Sequence, residues 1–444
     1  MFLPFHGQNT RTFIATFPKN SGFHENDLTT TPFSAKMEGM IERNLKNELK
    51  ETIESNHSLF LFGPRQTGKT TLLNTILDLY KNVMNYSFLN VALRQRIEKH
   101  PEAFRQEIEM AKPGIIIIDE VQKVPKILDE VQYLIDKYKW VFCITGSSAR
   151  MLKRTGVNLL AGRAITFRLD PLDLTERMSF TQHFTQSDTL KKILTYGDLP
   201  EIALLLENNK FKLVENLLRS YVETFLEEEI RQETLIRNVG GFSNFLRMAA
   251  EMSGKILSFR ELSQDIGIAH TTVSSFYTIL HDCLVIEEIQ SLVPQSSRRR
   301  LAKSSKYLFF DIGVRNAACE MLTGEGIDNE EWGNRFEHWI GLLLIRYLRS
   351  RNLNGKLYYW RDHNGPEVDW VVEWNNRWIP IEVKFNSNPQ RKHIKHLQTF
   401  LNEYNKKSSF GYLIFPGERP MKLAENIVAL PWFQLYDIFN TNDI

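Results

Sequence analysis

The most restrictive feature of the sequence is a glycine-rich octapeptide that stands between a strand-like and a helix-like segment. Residues 63–70 read GPRQTGKT, which fits the phosphate-loop pattern G-x-x-x-x-G-K-[ST]. The apolar run Ser58–Phe62 precedes it, and the helix-like run 71–77 follows it. In this order, backbone N–H groups and the positive end of the helix can surround a phosphate. The sequence therefore predicts a nucleotide-binding site.

Two residues of this phosphate loop have expected roles of their own. Lys69 is expected to reach the β- and γ-phosphates as a catalytic residue, and the Thr70 hydroxyl is expected to hold Mg²⁺. The other residues expected to bind the nucleotide here are Gly63, Pro64, Arg65, Gln66, Thr67, Gly68 and Thr71.

A second segment predicts hydrolysis as well as binding. Four consecutive isoleucines, Ile115–Ile118, follow Pro113–Gly114 and lead into Asp119 and Glu120. Such a run is typical of a central parallel strand that is buried on both faces, and ligands bind at the carboxyl ends of such strands. We expect Asp119 to hold the Mg²⁺ shell and Glu120 to polarise the attacking water. A buried strand followed by a solvated acidic turn is the alternative, which the preceding phosphate loop disfavours.

Two further candidates lie downstream. The run Trp140–Ser148 predicts another buried strand, after which Ser147 or Ser148 could sense the γ-phosphate; the alternative is an ordinary serine cap on a strand-to-helix turn. Arg163 is a candidate stabiliser of transition-state charge, in cis or across a subunit interface. A surface salt bridge explains this arginine equally well.

Composition limits the classes of protein that need to be considered. A length of 444 residues predicts two or three domains, and a formal net charge of +2 gives no overall field for nucleic acid. Three widely spaced cysteines show neither metal-ligand spacing nor a disulfide framework. We expect no membrane association, because no apolar stretch approaches the roughly 20 residues of a membrane span. The N-terminus lacks a secretory pattern, so we expect a cytoplasmic location.

The pattern of strands and helices divides the chain into five regions. Residues 37–175 alternate strand-like and helix-like runs and predict a doubly wound α/β core of the P-loop type. The others are an irregular extension at 1–36, a helical lid region at 176–250, a winged helix-turn-helix at 251–305 and a second α/β domain at 306–444.

The predicted winged helix-turn-helix is a candidate for contact with DNA. Its second helix would present His270, Thr271, Thr272 and Ser275. A lid or an oligomer contact within the ATPase is the alternative. The basic segment Arg298–Arg300 is open to two interpretations as well, as a phosphate contact or as a solvated loop.

A second chemical centre is predicted in the last third of the chain. Two strand-like runs around residues 367–373 and 377–384 are joined by a short turn and predict a β-hairpin. Asp369, Glu382 and Lys384 then lie on adjacent strands, and Glu337 opens an amphipathic helix upstream. Carboxylates beside a lysine can hold Mg²⁺ and stabilise a pentavalent phosphate, with Lys384 as the candidate catalytic residue. Ordinary charge pairs on a half-exposed hairpin are the alternative.

Several of these segments resemble known families. The segments that resemble the AAA_14-type ATPases are 63–70, 118–120, 145–148, 160–163, 169–172 and 196–201. The part from 309–313 through 382–384 resembles the DUF4143 domain that is usually fused to that ATPase and is related to the PD-(D/E)xK nuclease fold. No resemblance covers residues 1–36.

The resemblance implies ATP as the nucleotide and a restriction-endonuclease-like α/β core at the C-terminus. By position, the acidic and basic active-site residues of that fold correspond to Glu337, Asp369, Glu382 and Lys384. The hypothesis is therefore an ATPase coupled to a nuclease-like domain that acts on or binds DNA. The alternative is an ATP-dependent switch or scaffold whose C-terminal domain only binds nucleic acid or protein, with a second copy of the chain or another protein as partner.

Overall fold

The structure of the protein is a computed structural model. It describes residues 41–147, 160, 162–182, 184–226, 239–292, 304–322, 326–362 and 365–439. The extension at 1–36, Ser148 and the arginines at 298–300 lie outside these ranges. Within them, no helix is both long and apolar enough to cross a bilayer.

The first part of the described chain is a parallel five-stranded sheet with helices on both faces. Its order is β2-β3-β4-β1-β5, and every neighbouring pair is parallel. The strands are β1 Ser58–Phe62, β2 Val83–Ser87, β3 Ile115–Asp119, β4 Val141–Gly146 and β5 Ala164–Arg168. The helices are α1 Lys46–Glu54, α2 Lys69–Leu77, α3 Val91–Lys99, α4 Pro101–Ala111 and α5 Ile127–Tyr138.

The burial of the three central strands explains why polar and apolar residues do not alternate in the isoleucine run. Every residue of β1, β3 and β4 is buried, because each face of the sheet has its own apolar core. Parallel strands end at the same edge, so the residues that follow β1, β3 and β4 meet there. This confirms the α/β class and places the phosphate loop beside the Asp119 end of β3.

The middle of the chain is helical and ends in a small antiparallel ribbon. Its helices are α6 Leu174–Met178, α7 Ser187–Tyr196, α8 Pro200–Glu207, α9 Phe211–Ser220, a π-helical turn Tyr221–Leu226, α10 Val239–Glu251, α11 Phe259–Ile266 and α12 His270–Asp282. Gly267, at a φ of 73°, ends α11 in the left-handed region. The ribbon pairs β6 Ile286–Ile289 with β7 Lys306–Phe309. His270, Thr271 and Ser275 on α12 are exposed, as contact with a partner would require.

The last part is a mixed six-stranded sheet between two helical layers. It follows α13 Ile312–Ala318, and its order is β12-β13-β11-β10-β9-β8. Its elements are α14 Asn329–Ser350, β8 Gly355–Arg361, β9 Glu367–Trp374, β10 Arg377–Val383, α15 Lys395–Glu403, β11 Gly411–Phe415, β12 Met421–Ala424, β13 Ile427–Pro431 and a 3₁₀ segment Trp432–Phe439. The predicted hairpin is confirmed: β9 and β10 pair antiparallel, with Trp374 opposite Arg377. Between them Asn375 and Asn376 both have positive φ, which a tight two-residue hairpin turn requires.

Charged side chains join these three parts in an ion-pair cluster made of Arg168, Asp170, Glu287 and Arg349. Arg349 on α14 donates to both carboxylate oxygens of Asp170, at 2.8 and 2.7 Å, and lies 3.2 Å from Glu287 on β6. Arg168 bonds both Asp170, at 3.1 Å, and Glu287. Burial alone would raise the pKa of Asp170, but the two guanidinium groups hold it below its usual range.

A second buried arginine anchors α14 to the helical part. Arg346 is 3% exposed and donates to the carbonyl oxygens of Leu172 and Phe310, at 2.7 and 3.0 Å. It also pairs with Asp198 at 3.0 Å, whose same carboxylate oxygen accepts from the Trp339 indole at 2.7 Å. The C-terminal domain is therefore fixed to the rest by charged contacts as well as by apolar packing.

Candidate functional site

The phosphate loop has the geometry that the sequence predicts. It leaves β1 at Gly63 and enters α2 at Lys69, and Gly68 before the helix has a φ of 88°. A Cβ at Gly63 would lie 2.2 Å from the Leu169 carbonyl oxygen, so only glycine allows this approach. Lys69 is buried, and its Nζ donates to the carbonyl oxygens of Gly63 and Pro64 at 2.8 and 2.9 Å. The ammonium group is thus held inside the loop.

Two side chains outside the octapeptide donate hydrogen bonds to the backbone of the phosphate loop. Arg43, which is 8% exposed, donates to the Thr67 carbonyl at 2.7 Å and to the Asp170 carbonyl at 2.7 Å. The Tyr221 hydroxyl donates to the Arg65 carbonyl at 3.3 Å. The loop is therefore connected to the segment after β5 and to the helical part.

Oxygen atoms suited to Mg²⁺ converge at the end of β3. The Asp119 carboxylate accepts from the Thr70 hydroxyl at 3.1 Å and from the Thr145 hydroxyl at 2.5 Å. Ser87 reaches its other oxygen at 3.4 Å. Mg²⁺ prefers such carboxylate and hydroxyl oxygens beside phosphates, so the residues present fit the ion. Thr145, on the neighbouring strand, is a member that the sequence analysis did not identify.

Glu120 is held by a small polar network. Its φ of 59° is left-handed, and its backbone N–H donates to the Thr145 hydroxyl at 3.2 Å. The buried Gln122 amide donates both to the Glu120 carboxylate and to the Ser147 hydroxyl, the latter at 2.8 Å. Ser147 in turn lies 3.4 Å from Glu120. The structure thus brings Ser147 to the carboxylate that was predicted to polarise water.

Arg163 lies in a different setting from the loop residues. Its guanidinium pairs with Asp136 on α5 at 2.7 Å, with the two side chains 33% and 47% exposed. This is the surface ion pair that was the alternative interpretation. A role in transition-state stabilisation stays a prediction.

The C-terminal carboxylate site, made of Glu337, Asp369, Glu382 and Lys384, lies where the hairpin faces α14. Lys384 Nζ is 2.7 Å from Glu382 and 3.7 Å from Asp369. Asp369 also accepts from the backbone N–H of Val383 at 2.7 Å. Oε1 of Glu382 contacts the lysine, whereas its buried Oε2 has no hydrogen-bond partner among the residues that the structure describes. A buried orphan oxygen on a carboxylate is the kind of atom that a cation would satisfy.

Glu337 reaches this site from α14 but bonds a lysine that the sequence analysis did not identify as part of it. Lys306 Nζ on β7 lies 3.0 Å from Glu337 and 3.0 Å from Glu367. Burial raises the pKa of Glu337 to about 7 and that of Glu382 to about 8, and the charge of Asp369 adds to both shifts. The carboxylates are thus close enough to repel one another.

The four predicted residues come together, but the carboxylates of Glu337, Asp369 and Glu382 form ion pairs with lysines. Across the ranges that the structure describes, no three His, Cys, Asp or Glu side chains form a group that could hold a metal ion. Metal binding by Glu337, Asp369 and Glu382 therefore stays a prediction.

Comparison with known families divides the chain into three segments. The model of an AAA domain, AAA_14, matches residues 55–178. Two domains of unknown function follow, DUF8612 at residues 187–328 and DUF4143 at residues 332–435. The DUF8612 segment contains α11, α12 and most of the helical part.

Relatives align over most of the chain. The uncharacterized protein Rv2008c of Mycobacterium tuberculosis is 24% identical, and the alignment covers 93% of this chain and 88% of that protein. The uncharacterized protein MJ1544 of Methanocaldococcus jannaschii is 22% identical over 78% of this chain and 79% of its own. Among solved structures, the Walker-type ATPase PABY2304 of Pyrococcus abyssi aligns with 14% identity and a TM-score of 0.46. The alignment covers 63% of this chain and 96% of that structure's chain. The chain thus contains an AAA_14 P-loop domain and, after an intervening segment, a DUF4143 domain.

Proposed function

We propose that the protein is a Mg²⁺-dependent ATPase with its nucleotide site at the carboxyl edge of the parallel sheet. The observation that carries the proposal is the meeting of Thr70, Asp119 and Thr145 beside a loop whose lysine faces inward. A loop that only bound a phosphate would need neither the buried acid nor the glutamate that follows it.

Each residue of the nucleotide site would have its own role in hydrolysis. The Lys69 ammonium would move from the loop carbonyls to the β- and γ-phosphate oxygens. Mg²⁺, held by Thr70 and Asp119, would neutralise the charge that develops on those oxygens. Glu120 would orient the attacking water, while Ser147 would face the γ-phosphate beside it.

Two variants test this proposal. Lys69→Ala should lose ATP binding, because the charge that pairs with the phosphates is gone. Glu120→Gln should bind ATP but release no phosphate, because it no longer orients water. Nucleotide binding and phosphate release are measured on both variants and on the wild type. Normal hydrolysis by Glu120→Gln would show that another group orients the water.

We propose that the nucleotide site is coupled to the C-terminal domain through Arg43 and the ion-pair cluster. Arg43 bonds the loop at Thr67 and the backbone of Asp170, whose carboxylate binds Arg349 of α14. A shift of the loop would therefore act on α14 through two charged contacts. In Asp170→Asn, ATP should no longer change hydrogen exchange in α14, although it still binds. An unchanged response of α14 would exclude this route.

The second candidate function is divalent-cation-dependent cleavage of DNA at the C-terminal carboxylate site. It is favoured by Lys384, which bridges Glu382 and Asp369, and by the orphan buried oxygen of Glu382. Glu382 and Asp369 would hold the cation, which would supply positive charge beside a bound phosphate, and Lys384 would stabilise the charge that develops there.

A plasmid-nicking assay separates cleavage from simple binding. Wild type, Asp369→Ala and Lys384→Ala are compared with Mg²⁺ or Mn²⁺, and only the wild type should nick the plasmid. Equal nicking by all three would point to a contaminant. DNA binding without cleavage by the wild type would favour the alternative of a non-catalytic binding module.

A further inference from the structure

Lys306 is a ribbon residue whose side chain enters the C-terminal domain. It begins β7, which pairs with β6 in the ribbon that follows α12. Its Nζ lies 3.0 Å from Oε1 of Glu337 and 3.0 Å from Oε1 of Glu367, and only 4% of its side chain is exposed. A lysine buried this deeply needs charged partners, because an unpaired ammonium group away from water is strongly destabilising.

Aromatic rings complete the surroundings of this ammonium group. Nζ lies 5.3 Å from the ring centroid of Tyr359 and 5.1 Å from that of Trp370. Both distances are within cation–π range, so the rings favour a positive charge at this point. The Trp370 indole also donates to the Glu337 backbone carbonyl at 3.1 Å, which fixes the ring beside the same residue. The pocket is therefore built to hold one cation.

The position of this ammonium group matters for the neighbouring carboxylates. Lys306 contacts Glu337, while Lys384 contacts Asp369 and Glu382. Each carboxylate predicted to bind a metal ion thus already has a lysine of the chain within ion-pair distance. A positive charge in this position opposes the approach of a divalent cation to the same carboxylates.

We propose that Lys306 is an internal cation of the C-terminal carboxylate site, which occupies Glu337 and lowers the affinity of the site for a divalent cation. The inference rests on the second candidate function, because it concerns the metal affinity of that same site.

The test measures the binding of Mn²⁺ to the full chain in the absence of nucleotide. Calorimetry and the electron paramagnetic resonance signal of free Mn²⁺ are the two readouts. Lys306→Met removes the charge but keeps a long apolar side chain among the rings. We expect it to bind Mn²⁺ at least tenfold more tightly than the wild type. Lys422→Met, at an exposed lysine of β12, is the matched control and should bind as the wild type does. Glu382→Gln in the Lys306→Met background should remove the gain, which assigns it to this site.

The outcomes separate the inference from the function on which it rests. Mn²⁺ binding that is equally tight in the wild type and in Lys306→Met overturns the inference and leaves the metal site standing. Absence of Mn²⁺ binding in both proteins overturns the metal site and the inference with it. If Lys306→Met does not fold, Lys306→Met with Glu367→Gln is compared with Glu367→Gln alone, and the same tenfold difference is expected.

Discussion

Gln122 offers the sharpest test of how this site is organised, because its amide donates to Glu120 and Ser147 and not to the described residues of the phosphate loop. Its Nε2 donates to the Glu120 carboxylate and to the Ser147 hydroxyl, whereas its buried Oε1 has no partner within the described part of the chain. Gly146 leaves room for this amide, since a Cβ there would lie 3.0 Å from Oε1. We therefore expect Gln122 to set the orientation of Glu120 without helping the phosphate loop to bind ATP.

The variant Gln122→Met keeps the length of the side chain and removes both hydrogen bonds. A hydrogen bond to a charged group contributes about 1.5–3 kcal/mol. If the bond to Glu120 is needed in the transition state, its loss lowers kcat roughly ten- to 150-fold, at about 1.4 kcal/mol for each factor of ten. Global stability should change little, because the variant also removes Oε1, a buried acceptor without a partner among the described residues, whose burial costs about 1–3 kcal/mol.

Steady-state phosphate release over a range of Mg-ATP concentrations measures kcat and KM separately. We expect kcat to fall and KM to stay within about twofold, as for a residue that orients a catalytic group and makes no contact with the bound substrate. Gln106→Met, at an exposed glutamine of α4, is the control and should match the wild type. An unchanged or higher kcat in a folded Gln122→Met protein would refute the assignment, since Glu120 would then be oriented without the amide.

Three other expectations concern stability, pH and nucleotide affinity. Arg346→Met removes the arginine that is paired with the buried Asp198 and should cost about 3–5 kcal/mol in urea unfolding. Arg247→Met, at an exposed helix pair, should cost at most about 0.5 kcal/mol, and similar losses would contradict this reasoning. Burial raises the pKa of Glu382 from 4.5 to about 8, so the folded protein binds more protons than the unfolded chain in that window. Stability should therefore fall as the pH rises from about 4.5 to 8, and Glu382→Gln should flatten this fall in melting temperature; an equally steep fall would count against it. Arg43→Met removes a charged bond to the phosphate loop, so KM for ATP should rise about tenfold or more at similar kcat, and an unchanged KM would exclude that role.

Local patterns allowed the sequence to predict a large part of this fold. The phosphate loop and its flanking elements are specified by residues that are consecutive in the chain, as is the unbroken isoleucine strand. The hairpin turn at Asn375 and Asn376 is local as well, because both residues adopt the left-handed backbone that the turn requires. Short-range chemistry of this kind is visible without a structure.

The partners of the site residues were not predictable in the same way. Gln122 stands two residues after Glu120, so the signal was present, but its second contact, Ser147, is 25 residues away. Lys306 and Glu337 are 31 residues apart and meet only because the ribbon packs against α14. Arg43 reaches across 127 residues to the Asp170 backbone. Such contacts depend on how separate elements pack, which no local pattern encodes.

The ion-pair cluster draws its members from all three segments that match known families. Arg168 and Asp170 come from the first, Glu287 from the second and Arg349 from the third. A gene cut at either boundary would separate these partly buried charges from their partners, so each piece made alone should be less stable and less soluble than the whole chain. Exchange of one segment between distant relatives would meet the same barrier. The three segments are therefore expected to be inherited together, as a single unit of folding and of recombination.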